Sequence, residues 1–288
     1  MAALVYLGVA ALFLAFLWGA VGNADADLAV FGGRVAIVEV EGIILEVDDL
    51  VRDLKSYREN PSVRAVVVRV NSPGGVVGPT QEVHQALLKL REAGKPVVAS
   101  LSSIAASGGY YIAVAADRVY ANPGTLTGSI GVIMQFPNVD GLMKKVGVDY
   151  VVIKAGQFKD IGNFARPMRP EERQVLQGLL DDVHGQFIDA VDTGRKLKRE
   201  DVVRFADGRI FSGVQAKSMS MVDELGGFDD AINAAAKLAG LKIPPRVLQP
   251  RRKTSIVNLI RSELGLPVGA SLLGARMPVF QTPLYLMP

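Results

Sequence analysis

The stretch VRAVVVRVNSPGG, residues 63–75, decides the fold. Val63 to Val70 is an apolar, β-branched run of strand length, of the kind found where a strand is buried on both faces. It breaks at Asn71-Ser72-Pro73-Gly74-Gly75, a dense turn signal. Helical periodicity follows between Pro79 and Ala93, with Val83, Leu87, Leu88 and Leu90 on one stripe. The alternation spreads outward from there. Upstream, Val35 to Val40 (VAIVEV) reads as a strand and Val47 to Glu59 as a helix. Downstream, Pro96 to Leu101 reads as a strand and Ala105 to Ala115 as a helix. Val119 to Ala121, Gly131 to Met134 and Tyr150 to Lys154 are further strand candidates. Strand-turn-helix in repeated order predicts an α/β fold with a mainly parallel sheet.

From Pro170 the pattern changes. A long helix runs to about Lys196, with Glu171 and Glu172 in its first turn and Arg195 and Lys196 in its last, both complementing the helix dipole. Two shorter helical pieces end near Leu241. The tail, 244–288, is rich in proline, carries Arg251-Arg252-Lys253, and ends in an apolar run (VFQTPLYLM) with no obvious place in the core.

Composition narrows the function. Hydrophobic residues make up 49% and charged residues 21%, which predicts a packed core and excludes wholesale disorder. A net charge of +3 is too small and too evenly spread for a nucleic-acid protein. The absence of cysteine removes disulfides, thiolate metal sites and a cysteine nucleophile. With two histidines, His84 and His184, a histidine-rich metal site is impossible. Ala2 to Val21 (AALVYLGVAALFLAFLWGAV) has no charged residue and the length of a helix that crosses a bilayer. A cleaved signal peptide is the rival reading, with Ala24 and Ala26 near a cleavage site. The missing basic leader and the long apolar run favour a retained transmembrane anchor. The expected organisation is an anchor at 1–22, a linker at 23–33, a catalytic domain at 34–243 and an extension at 244–288.

Three small-residue segments beside strands are candidates for chemistry. Glycines at Asn71–Gly75 let backbone N–H groups face a crevice, where they bind a phosphate or a carbonyl becoming an oxyanion. No Gly-Lys-Ser/Thr and no Gly-x-Gly-x-x-Gly occurs there, so phosphate is the weaker reading, and a plain turn is the bland one. The segment SSIAASGGYY, residues 102–111, ends a strand and starts a helix. Ser107 there lies near unpaired N–H groups. The Gly108 N–H can sit beside the carbon that Ser107 attacks, and Gly109 admits substrate backbone. The ordinary alternative for Ser107 is a helix cap. Two glycine turns on neighbouring strands favour the nucleophile, each supplying one donor of a two-donor oxyanion hole. Thr125 to Gly131 (TLTGSIG) adds hydroxyls to the same crevice or is a turn.

A serine hydroxyl needs a base. His84 and His184 both read as solvated or partly packed helix residues, which leaves lysine. A buried lysine releases its proton near neutral pH because desolvation disfavours the charged form. Lys159, in a loop between Phe158 and Ile161, and Lys154 are the candidates, and pattern alone does not choose between them.

Five ordered motifs resemble the signal peptide peptidase A family of bacterial membrane serine proteases over residues 34–240. They are NSPGG at 71–75, AASGGYYIA at 105–113, TGSIGVIM at 127–134, Lys159-Asp160, and Asp207-Gly208-Arg209. Val-Asp-Glu-Leu-Gly at 222–226 matches as well. The resemblance implies a crotonase-like, Clp-protease-like fold of repeated ββα units. It implies a Ser–Lys dyad, with Ser107 as nucleophile and Lys159 as base. Ser129 falls on the serine that holds the lysine, and the oxyanion hole on Gly108 with Gly74 or Gly75. No cofactor or metal is implied. The implied substrates are hydrophobic remnant signal peptides at the membrane, and the implied assembly is a homo-oligomeric ring, an octamer among the forms expected. In such rings serine and lysine of neighbouring subunits meet. The implied location is the bacterial cytoplasmic membrane, single-pass, with the catalytic domain on the extracytoplasmic side. Two rivals stand beside this reading: an acyl-CoA enzyme that stabilises a thioester enolate, and a catalytically inactive membrane scaffold. The apolar end, Val279 to Met287, itself resembles a substrate and is expected in a neighbour's groove or packed on the ring.

Overall fold

A computed structural model describes residues 33–250 and 284–286. The expected anchor at 1–22, and the linker up to residue 32, lie outside them. Among the described residues no helix is long and apolar enough to cross a membrane.

The α/β expectation holds. Strand β1 (Arg34–Ile44) leads through α1 (Asp48–Glu59) to β2 (Val63–Val76), and α2 (Val77–Glu92) leads to β3 (Val97–Ala106). Then come α3 (Gly108–Ala113), β4 (Arg118–Ala121) and β5 (Leu126–Gly128). Helices α4 (Asp140–Val146), α5 (Pro170–Arg195) and α6 (Arg199–Val203) precede β6 (Ile210–Ser212). The chain continues with α7 (Gly213–Ser218), β7 (Glu224–Leu225), α8 (Phe228–Leu238), β8 (Arg246–Leu248) and β9 (Leu284–Leu286). The sheet order is β6-β5-β3-β2-β1-β8, with β4 joined to β3, β7 to β4, and β9 to β2. All described pairings are parallel except β5–β6 and β2–β9.

Strand β2 explains the decisive stretch. It lies between β1 and β3, with Val66 opposite both Ala36 and Val97. Val66, Val68 and Val70 enter a cluster covered by α1, α2 and α3, whereas Ala65 and Val67 pack with Ala231, Ala235 and Ala236 of α8. Both faces are therefore dry, and an unbroken apolar run is what such a strand requires. Fully burying one valine contributes about 1.5–3 kcal/mol relative to leaving it exposed.

Several expectations are corrected. Residues 71–75 are not a turn: β2 continues through them to Val76, with a register shift on each side of the strand. Gly74 absorbs the irregularity at φ +109°, a conformation L-residues rarely adopt. Gly131–Met134 and Tyr150–Lys154 form no strand. The latter is solvent-facing, with Val151 82% and Ile153 97% exposed, and its β-propensity meets no pairing strand among the described residues. Among the described residues, three short helices rather than two follow α5. The tail also has a place in the core. Arg246–Leu248 pairs with β1, and Tyr285 of β9 is fully buried.

Candidate active site

Parallel strands end together, and the loops at those ends share a crevice. The carboxyl ends of β2, β3 and β5 bring together Gly74, Gly75, Ser107, Gly108 and Ser129. Ala105 and Ala106 of β3 pair with Thr127 and Gly128 of β5, and Ser72 of β2 pairs with Ala105. The Ser107 N–H donates to the Gly128 carbonyl at 2.8 Å, so the strand ladder delivers Ser107 beside Ser129.

Ser107 occupies a single strained residue between β3 and α3, with φ 52° and ψ −118°. Among the described residues, four other than glycine have positive φ; two of them are Ser107 and Ser129. Such backbone costs about 1–3 kcal/mol per residue and persists where packing over-determines it. A serine on a sharp strand-to-helix turn projects its Oγ away from both elements, with the next residue's N–H behind it. The Ser107 side chain does not cap the helix, and its Oγ is buried without a hydrogen-bond partner among the described residues. An unpaired buried hydroxyl is unfavourable by itself. The cap reading therefore fails for Ser107.

The glycines converge on one point. A Cβ on Gly74 would lie 2.8 Å from the Gly108 nitrogen and 1.9 Å from the Tyr285 carbonyl oxygen. A Cβ on Gly108 would lie 3.2 Å from the Gly75 nitrogen and 2.9 Å from Thr80 Oγ1. The Gly74 N–H already donates to Ser72 Oγ at 3.0 Å. The Gly75 and Gly108 nitrogens and the Tyr285 carbonyl oxygen therefore gather around the contact between Gly74 and Gly108.

That carbonyl belongs to β9, which runs antiparallel along Gly74–Val76, with Tyr285 opposite Gly75. The Tyr285 ring stacks on Tyr111 at 5.1 Å, meets Phe187 at 4.7 Å, and its hydroxyl donates to the Val183 carbonyl at 3.0 Å. Burial pushes the Tyr285 phenol well above its ordinary range. The site thus holds an extended chain by main-chain pairing and one large side chain by an aromatic pocket, the pattern of β-strand addition.

Neither histidine is hydrogen-bonded to the Ser107 hydroxyl. His84 packs its ring 4.8 Å from Tyr111. Burial, then repulsion from Arg91, pushes its imidazole down from 6.5 to about 4. Between those values the unfolded chain binds more protons than the folded one, so this contribution to stability is lost as pH falls from 6.5 toward 4. Melting temperatures followed across that window should fall less steeply in His84→Gln than in the wild type. His184 is partly buried in α5, with Nε2 lacking a partner among the described residues.

The structure separates the two lysines. Lys154 is committed: its amine donates to the Gln157 carbonyl at 2.9 Å and pairs with Asp160. Lys159 sits in the following turn with its side chain exposed, and it is not brought to Ser107 within the chain. The burial expected for this amine is therefore absent among the described residues. Ser129 is 5% exposed, and its N–H donates to the Arg209 carbonyl at 2.8 Å. This gives the Asp207-Gly208-Arg209 motif a role in shaping the Ser129 turn, together with the Gly208 N–H to Ile130 carbonyl bond at 3.1 Å. The Val222–Gly226 motif is structural: the Asp223 carboxylate accepts from the Val119 N–H and from Arg195. Thr80 escaped the sequence reading, and Ser72, Tyr285 and Glu172 were read there only as parts of a turn, an apolar tail and a helix start. For Glu172 the signal was its place three residues after Arg169, a capping position.

Residues 89–242 match Peptidase family S49. A candidate protease of Synechocystis sp. is 47% identical over 72% of this chain and 75% of its own length. Protease 4 of Salmonella typhi is 36% identical over 73% of this chain, and the match spans 35% of that protein. A chloroplastic serine protease SPPA of Arabidopsis thaliana is 31% identical over 86% of this chain and 38% of its own. The chain thus spans little more than a third of the latter two relatives.

Proposed function

The chain belongs to peptidase family S49, in keeping with the motifs of its sequence, and we propose that it is a serine endopeptidase cutting extended apolar peptides with a Ser107–Lys159 dyad. The observation that carries this reading is β9: a peptide strand lies along Gly74–Val76 with its carbonyl beside the Gly108 nitrogen. In the proposed reaction the neutral Lys159 amine takes the Ser107 proton as Oγ attacks the peptide carbonyl. The N–H groups of Gly75 and Gly108 hold the oxyanion, and Ser129 steadies the amine. Lys159 then protonates the leaving amine, and water repeats the sequence on the acyl-enzyme.

The dyad is proposed to form between subunits of a ring. The support is that the Ser107 hydroxyl has no partner among the described residues of its own chain while Lys159 faces outward. A neighbour covering that face would supply the dry surroundings that a neutral amine needs. The finer fold assignment, crotonase- and Clp-protease-like, belongs to the same proposal; its support is the repetition in β1-α1-β2-α2-β3-α3, where one long strand rather than two precedes each helix. So do remnant signal peptides as substrates, the anchor at 1–22, and a catalytic domain outside the cytoplasmic membrane. Their support is the apolar segment in the sequence and the apolar strand held in the groove. An acyl-CoA enzyme of the same fold has no use for a strained serine or for a strand-binding edge. An inactive scaffold predicts casein left intact by the assembled wild type in detergent.

The docked tail yields a direct test. Deleting residues 282–288 should lower KM for a short apolar peptide severalfold, because the linked strand no longer competes for the groove. A synthetic peptide of residues 280–288 should restore the inhibition. Unchanged kinetics in both experiments would show that β9 and substrate do not share a site.

A further inference from the structure

We infer that Glu172 is the positioning residue for the Lys159 turn, acting through Arg166 and Arg169. The inference rests on the reading of Lys159 as base. Glu172, in the first turn of α5, is fully buried yet charged. Its carboxylate accepts from Arg166 Nη1 at 2.8 Å, from Arg169 Nη2 at 2.6 Å and from the Arg169 N–H at 2.9 Å. Hydrogen bonds from Arg166 first, and from Arg169, hold this carboxyl far below the usual carboxylate range despite its burial. A buried charge is stable only when paired and bonded in this way.

The two arginines carry that anchor to the turn. Arg166 Nε donates to the Asp160 carboxylate at 3.0 Å and Arg166 Nη2 to the Asp160 carbonyl at 3.1 Å. Arg169 Nη2 donates to the Gln157 carbonyl at 3.1 Å, which also accepts from Lys154. Lys154 completes the ring by pairing with the Asp160 carboxylate. Gln157 and Asp160 therefore bracket Lys159 on both sides, each held by two cations, while Lys159 itself is left out of the cluster. A solvent-facing turn is held in one backbone geometry although its lysine stays uncommitted. A purely structural pairing of α5 to its preceding loop would need only Arg169 and the helix cap. The cluster holds three cations (Lys154, Arg166, Arg169) against two anions (Asp160, Glu172), so its net charge is positive.

The test uses the full chain in detergent with an apolar peptide substrate, comparing Glu172→Gln, Arg166→Lys and Lys159→Ala. Misplacing a catalytic group by about 1 Å can lower turnover by about a hundredfold. Glu172→Gln and Arg166→Lys should each lower kcat by about ten- to a hundredfold with KM within about twofold of wild type. Glu172→Gln removes a negative charge, so the acid limb of its kcat/KM profile should also move to lower pH. Arg166→Lys keeps the charge and loses the fork, so its limb should stay in place. Cooperative melting that is merely lowered, with wild-type kcat and limb in the folded enzyme, would overturn the inference. Loss of cooperative folding in both variants would do so too, by making the cluster a device of stability alone. Wild-type turnover in Lys159→Ala would instead remove the premise, whatever the cluster variants do.

Discussion

Ser107→Ala and Lys159→Ala are each expected to reduce peptide turnover by a factor on the order of 10⁴ or more, and the double variant to be no worse than either single one. The non-additivity follows from the chemistry: attack needs the alkoxide and the proton acceptor in the same step. The structure makes a silent Ser107→Ala hard to reconcile with its surroundings. A residue held at φ 52° with an unpartnered buried hydroxyl loses nothing structural when the oxygen goes, so folding should survive while activity does not. Melting curves and turnover measured on the same preparations separate the two effects. Mixing the two variants during assembly then asks where the dyad forms. If serine and lysine come from different subunits, the mixed particle contains intact pairs and recovers part of the wild-type activity. Mixed particles as dead as their parents would place both groups in one chain. Normal turnover of Lys159→Ala at neutral pH would end the dyad reading altogether.

Gly74→Ala should lower kcat/KM by about a hundredfold or more, the scale of losing one oxyanion donor. Two causes act at one position. The backbone at φ +109° disfavours any Cβ, at about 1–3 kcal/mol. The added carbon would also stand 1.9 Å from the carbonyl oxygen now in the groove, so a substrate carbonyl cannot reach the Gly108 nitrogen without displacing β2. Gly78→Ala is the control. That glycine lies in the first turn of α2 with open space around it and ordinary φ, and the change should leave activity intact. A Gly74→Ala enzyme with wild-type kcat/KM would move the oxyanion site elsewhere.

The sequence was most informative where the cause of structure is local. The run Val63–Val70 announces a strand buried on both faces, since Ala65 and Val67 must meet one layer and Val66 and Val68 the other. Ser107-Gly108-Gly109 announces a strand-to-helix junction because small residues and glycines alone tolerate so sharp a reversal. Local signals also misled. Asn71–Gly75 has the composition of a turn, but pairing with β1 and β3 keeps it in the sheet. Tyr150–Lys154 has the composition of a strand, but no sheet edge among the described residues receives it.

By itself, then, the order of residues determined the α/β succession, the central strand and the serine–glycine elbow, all set by contacts within a few residues and by the period of apolar side chains. Tertiary structure alone decided which lysine is already bonded, why Glu172 is charged and dry, and that Tyr285 lies in the groove. Each depends on side chains folded together from different elements, as where the Tyr285 hydroxyl meets a carbonyl 102 residues away in α5. Periodicity cannot encode such meetings, because closing a long loop leaves no mark on the short stretches that it joins.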